Sequence, residues 1–159
     1  MATDNAVTEE SSREGKEGAT TVRSLSETRV LAERLIPLMR SVPCVSLEGP
    51  LGAGKTHFVK ATASALGIGE PVSSPTFTLL HSYRSAETVL HHGDWYRLES
   101  PGEVLSLGLE DYLGEGVMMI EWGNKFPELL PPGTLRITIQ PESGETRRIS
   151  WGSGKDSAS

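Results

Sequence analysis

Gly49-Pro50-Leu51-Gly52-Ala53-Gly54-Lys55-Thr56 is the stretch that decides the fold, because it fits G-x-x-x-x-G-K-[ST] at every fixed position. Residues 42–47 precede it as a short β-branched and apolar run that reads as a buried strand. Residues 55–66 follow it with Phe58, Ala61, Thr62, Ala65 and Leu66 at helical spacing and Gly67 as a stop. Strand, glycine loop and helix together are the context that a phosphate-binding loop needs.

Each residue type has a chemical reason. Main-chain N–H groups can wrap a triphosphate only where no Cβ blocks the approach, which is the role of Gly49, Gly52 and Gly54. The helix N-terminus adds unpaired N–H groups and the positive end of its dipole. Lys55 supplies a mobile charge for the β- and γ-phosphates, and the hydroxyl of Thr56 is placed to ligate Mg²⁺.

The chain has 159 residues, 36% hydrophobic and 23% charged, and predicts one soluble domain with a single core. A net charge of −6 excludes a surface that holds nucleic acid by charge alone, so any RNA role runs through a partner. The lone Cys44 lies in the apolar run before the loop and excludes a disulfide framework or thiol-rich metal site. No apolar run has the length of a membrane span and no apolar signal core opens the chain, which predicts a cytoplasmic location.

Residues 1–19 are polar and charged, and residues 152–159 are similar; both predict disordered tails around a domain spanning 20–151. The Gly152-Ser153-Gly154-Lys155 run in the second tail lacks a strand-to-helix context and is a decoy. Residues 20–23 predict a first strand. Ser24 and Glu27 have capping-box spacing, with Ser26 as a competing cap, and Val30, Leu31, Leu35 and Leu38 form the apolar stripe of a helix. Pro37 is expected to end or kink that helix near Ile36. Such a helix is mainly packing, and its start, with Ser26, is a candidate neighbour of the nucleotide's base.

Ser74-Pro75-Thr76 enters an alternating run that pairs with residues 88–92 as a hairpin. Beside a phosphate loop, those hydroxyls form a candidate nucleotide-sensing segment. His91 and His92 are neighbours on a strand, point to opposite faces and do not share a metal. Asp94, at the end of that strand, is a candidate for orienting water or a metal-bound water. Ser100-Pro101-Gly102-Glu103 starts a helix carrying Val104, Leu105 and Leu107. Val117-Met118-Met119-Ile120-Glu121 has the form of a Walker B strand, its closing acid a Mg²⁺ or water ligand, and Trp122 either borders the site or fills core. Leu135, Ile137 and Ile139 alternate with polar residues and turn at 141–145 into a second antiparallel hairpin. The fold class is therefore α/β, three-layer and P-loop NTPase-like, with a mixed sheet that includes antiparallel hairpins.

In sequence, residues 51–56, Ser74-Pro-Thr-Phe-Thr78, His92-x-Asp-x-Tyr-Arg97 and Ile120-Glu-Trp122 resemble the bacterial TsaE family of tRNA threonylcarbamoyladenosine biosynthesis proteins, over about 20–151. The resemblance implies a P-loop ATPase that works with the partners TsaD and TsaB in threonylcarbamoylation of adenosine 37 in ANN-decoding tRNAs. It implies that transfer belongs to TsaD while this subunit hydrolyses ATP to sustain turnover, touching tRNA only through the complex. It also implies ATP binding by Leu51, Gly52, Ala53, Gly54, Lys55 and Thr56, Mg²⁺ at Thr56 and Glu121, and hydrolysis dependent on Asp94. Ser74 to Thr76 would be a switch-like segment and Trp122 a neighbour of the nucleotide. Pro50, His57 and Trp95 depart from the usual Asp, Thr and Leu, and none removes a phosphate or metal ligand.

Other P-loop readings fit less well. A small-molecule kinase needs an Arg-bearing lid, whereas Arg84, Arg97, Arg147 and Arg148 are scattered. A GTPase needs Asn-Lys-x-Asp, and Asn124-Lys125-Phe126-Pro127 lacks the guanine-binding carboxylate. A scaffold that binds ATP without hydrolysing it is the strongest rival.

Overall fold

A computed structural model describes residues 9–11, 16–73 and 79–153, with the backbone alone for 9–11. Strands β1 (Glu9–Ser11), β2 (Gly18–Val22), β3 (Val45–Glu48), β4 (Leu80–Arg84), β5 (Val89–Asp94), β6 (Val117–Glu121), β7 (Leu135–Pro141) and β8 (Arg147–Ser153) form one sheet. Their order is β1-β2-β8-β7-β3-β6-β5-β4. The pairs β3 with β6, β3 with β7 and β5 with β6 are parallel. The remaining neighbours are antiparallel, so the sheet is mixed, as the two hairpins require.

Alternation along the strands divides the core. Val45, Leu47, Met119, Leu90, Ile137 and Ile139 face helices α1 (Leu25–Arg40) and α2 (Lys55–Ala65), which bury Leu31, Leu35, Phe58 and Val59 against them. Cys44, Met118 and Ile120 face the other way and pack with Trp95, Leu98, Val104 and Leu109. That second layer is made of short pieces: helix α3 (Pro101–Leu105) and 3₁₀ turns at Leu109–Asp111, Gly123–Lys125 and Pro127–Leu129. Cys44 is core, its thiol pushed up to about 12 by burial.

The chain's punctuation follows from its caps. Ser24 takes the N–H of Glu27 (3.2 Å) and is the N-cap of α1, whereas Ser26 is exposed within the helix. The Glu27 carboxylate reaches back to the N–H of Arg23 (2.7 Å), one residue before the box position. Around α3 both capping-box bonds to Ser100 and Glu103 form, with Pro101 at the helix start.

Two expected boundaries are corrected. Of the end or kink expected at Pro37, the end does not occur, because α1 continues to Arg40. It stands in the last turn on the exposed side, so the ladder bond it forgoes belongs to the carbonyl of exposed Glu33, where water can replace it. The boundary expected at residue 20 falls inside a strand: β2 begins at Gly18 and Glu9–Ser11 pairs with it through Glu9 to Thr20 and Ser11 to Gly18. Edge pairing orders a polar stretch through main-chain bonds, which composition does not reveal. At the other end β8 runs to Ser153, and the rest of the expected tail, with the decoy Gly154-Lys155, lies outside the described residues.

Candidate functional site

The site lies where the parallel strands end. In register, Leu47 of β3 faces Glu121 of β6, and Glu121 faces Asp94 of β5, so two carboxylates meet at one edge of the sheet. Both belong to the face that carries α2, whose first residues are Lys55 and Thr56. The loop between β3 and α2 is shaped by its glycines. Gly49, Gly52 and Gly54 have φ of 146°, 78° and 105°. A Cβ on Gly49 would collide with the carbonyl oxygen of Ile139.

These elements enclose a cleft of about 500 Å³ lined by residues 51–57 of the loop with Asp94, Tyr96, Glu121, Trp122 and Arg147. The structure thus gathers Leu51, Gly52, Ala53, Gly54, Lys55, Thr56, Asp94, Glu121 and Trp122 in one place. Ser26 is the exception among the described candidates: it lines neither this cleft nor the cavity next to it. The α1 residues that line the neighbouring cavity, about 220 Å³, are Ser24, Leu25 and Thr28. Ser74 and Thr76 lie outside the described residues.

Contacts in the cleft assign the groups different work. The Thr56 hydroxyl donates to Glu121 Oε2 (2.8 Å). The same oxygen lies 2.8 Å from His92 Nε2, and both His92 and Glu121 are buried. A carboxylate oxygen accepts only, so Nε2 carries the proton of that bond, and Nδ1 of His92 has no hydrogen-bond partner among the described residues. Two oxygen donors already in contact at the mouth of a phosphate loop suit Mg²⁺, which prefers hard oxygen ligands with few protein groups among them. No cluster of three or more His, Cys, Asp or Glu able to hold a metal occurs among the described residues.

Lys55 Nζ donates to the carbonyls of Gly49 (2.6 Å) and Pro50 (2.9 Å) and stands 4.2 Å from the centre of the Trp122 ring. The ammonium thus closes its own loop and is held over an aromatic face. Burial lowers its pKa, against the attraction of Glu121 and Asp94. Trp122 adopts φ 63°, a left-handed conformation rare for a bulky residue, and its N–H donates to Leu47 O (3.1 Å). That turn swings the indole back over the cleft, where it also meets Tyr96 at 4.9 Å between ring centres.

Asp94 differs from Glu121. Its Oδ1 accepts the N–H of Tyr96 (2.9 Å), an Asx turn that fixes the carboxylate at the strand end. Desolvation raises its pKa above the ordinary aspartate value, partly offset by the Tyr96 N–H and raised further by Glu121. An acid biased toward holding a proton, facing solvent in the cleft and not tied to the Thr56 pair, is equipped to accept one.

Two contributors have a role that sequence reasoning did not give them. His92 lies two residues before Asp94 on the same strand face, so period-two spacing could have pointed to its place beside Glu121. Arg147 was set aside among scattered arginines, yet its Nε donates to Ala53 O (2.8 Å), and Nη1 bonds Gly144 O and Thr146 O. It lines both cavities. No local pattern signals a contact between residues 94 positions apart.

A family model described as Threonylcarbamoyl adenosine biosynthesis protein TsaE matches residues 22–149. The chain is 39% identical over 126 residues to the tRNA threonylcarbamoyladenosine biosynthesis protein TsaE of Bacillus subtilis (strain 168), covering 79% of this chain and 78% of that one. It is 41% identical over 114 residues to the protein of the same description from Treponema pallidum (strain Nichols), covering 71% and 84%. The crystal structure of Bacillus subtilis YdiB superposes with a TM-score of 0.64 at 29% identity, covering 94% of this chain and 89% of that one.

Proposed function

The chain belongs to the TsaE family of threonylcarbamoyl adenosine biosynthesis proteins, and from that premise we propose that it binds Mg·ATP and hydrolyses it weakly, with partner proteins raising the rate. The observation that carries the proposal is the convergence of Lys55, Thr56, Glu121 and Asp94, drawn from three separate segments, on one cleft beside a glycine loop.

The residues divide as follows. Loop amides and the α2 N-terminus receive the phosphates, and Lys55 exchanges its two carbonyl partners for phosphate oxygens. Thr56 and Glu121 hold Mg²⁺, which when bound neutralises charge on the β- and γ-phosphates. His92 keeps the Glu121 carboxylate turned toward Thr56. Asp94 orients the attacking water and takes its proton. The cavity beside Ser24, Leu25 and Thr28 accommodates the base, with Arg147 at the junction of the two cavities. Trp122 borders the nucleotide at its phosphate end.

In cellular terms, the proposal is a subunit whose ATP turnover sustains the transferase formed by TsaD and TsaB, and which meets tRNA only within that complex. Among the described residues no helix is long and apolar enough to cross a membrane, and we place the protein in the cytoplasm. Phosphate release, measured with and without purified TsaD and TsaB homologues, tests the reading. Slow release that rises with the partners supports it. Binding without any release, even in the full mixture, replaces the ATPase with an ATP-dependent scaffold.

A further inference from the structure

On the face of the sheet away from α1 and α2, a groove of about 350 Å³ runs between two short elements. Leu105, Leu109 and Leu113 form one wall, and Leu129, Leu130 and Pro131 the other. Leu105 is 63% exposed on the rim. A leucine left in water forgoes roughly 1.5–3 kcal/mol of burial, and here one stands beside a trough of others, each backed by the second core layer.

The charges around the groove have one sign. Glu110 and Glu128 are its only charged lining residues, one on each wall, and neither has a hydrogen bond or ion pair among the described residues. A second copy of the chain, with its net charge of −6, would bring acid against acid in a symmetric contact. A basic partner would meet both acids and cover the leucines at the same time.

The groove is also joined to the nucleotide cleft by a short, continuously hydrogen-bonded run. The N–H of Lys125 bonds Trp122 O (3.0 Å), that of Phe126 bonds Gly123 O (3.2 Å), and that of Leu129 bonds Phe126 O (3.0 Å). Lys125 Nζ reaches back to Tyr96 O (2.6 Å) at the cleft. One end of this run is therefore the indole over Lys55, and the other is a wall of the groove.

We propose that this groove is the docking surface for a partner-protein segment that presents leucine-sized apolar side chains flanked by lysine or arginine. The proposal deepens the functional reading above, in that the partner is one of the subunits that raise ATP turnover. An apolar anchor in the trough supplies the affinity, and the two acids set partner choice and orientation.

The test titrates the purified TsaD and TsaB homologues against the intact chain, with direct binding as the primary readout and phosphate release as the second. Four forms are compared: wild type, L105D, the double variant E110K/E128K, and K60E on the opposite helical face as a control. Thermal melts check that all are folded. L105D and E110K/E128K are expected to weaken binding by more than about tenfold with unchanged basal ATP turnover, and K60E to bind as wild type does. Amides in 104–113 and 128–130 are expected to exchange more slowly in the complex. Equal binding by all four forms overturns the proposal, as does protection confined to the mouth of the nucleotide cleft or a wild-type chain that binds neither partner. A dimer of this chain that L105D dissolves assigns the groove to a second copy and overturns it too. If the wild type binds the partners but releases no phosphate, the ATPase reading fails while the binding comparison still decides the groove.

Discussion

Glu48 and Glu121 close adjacent parallel strands, β3 and β6, each after a buried run that starts with valine and each with a carboxylate at the end. Their surroundings are opposite. Glu48 is on the face away from α2, where Arg136 grips both its oxygens (2.7 Å each) and Ser46 adds a third bond (3.1 Å). Glu121 is on the α2 face, where its Oε2 meets Thr56 and His92. The register places Leu47, not Glu48, opposite Glu121, and that single-residue offset sends the two acids to different faces. Face and partners therefore decide whether a strand-end acid is available as the proposed metal ligand, and the closed guanidinium fork leaves Glu48 no such use.

The largest effect that can break this contrast comes from Asp94, the neighbour of Glu121 in register. Asp94→Ala is expected to keep Mg·ATP binding and reduce turnover by about 10²–10⁴-fold in a phosphate-release assay. Turnover within a factor of two of wild type removes Asp94 from the proton-transfer role. Next is the buried support of Glu121: His92→Gln is expected to raise the half-saturating Mg²⁺ concentration by about 10–100-fold, read from turnover against Mg²⁺. An unchanged Mg²⁺ curve makes His92 a packing residue.

The arginine fork should show the reverse signature. Arg136→Ala leaves a nearly buried carboxylate without its main partner and is expected to cost about 2–3 kcal/mol in denaturant unfolding, while Mg·ATP affinity stays the same. A shift in nucleotide affinity larger than that in stability would link the two faces. The smallest effect is a pH dependence. Because desolvation raises the folded-state pKa of Asp94 above 3.8, the folded chain binds that proton more tightly than the unfolded chain does. Stability is thus lost as pH rises from 3.8 through the raised value. Asp94→Asn is expected to be slightly more stable than wild type at neutral pH, with the difference gone below pH 3.8. Turnover by the wild type is expected to fall as pH drops through the same raised value, since the protonated acid cannot accept the water's proton.

The glycine loop, the helix after it, both hairpins and the acid closing β6 were legible because each has a local cause: a backbone that only glycine adopts, a period of 3.6 or 2, or a capping box. What was not legible depends on distance. Glu48 and Glu121 read alike until the register is known, and Arg147 reaches the loop from the far hairpin. The cavity beside the loop takes Ser24, Leu25 and Thr28 from α1 rather than Ser26, because which side of a helix start faces a neighbour is fixed by packing, not by the cap pattern. Pro37 does not end its helix for a related reason, since proline's cost depends on whether the orphaned carbonyl meets water.

The central claim is that the glycine loop, Lys55, Thr56 and Glu121 form one Mg·ATP site, and calorimetric titration of Mg·ATP into the purified chain tests it most directly. Saturable one-site binding is expected, weakening sharply when EDTA removes Mg²⁺ and becoming insensitive to the metal in Glu121→Gln. No binding heat at any Mg·ATP concentration, or binding by Glu121→Gln that still strengthens with Mg²⁺ as in the wild type, would contradict it.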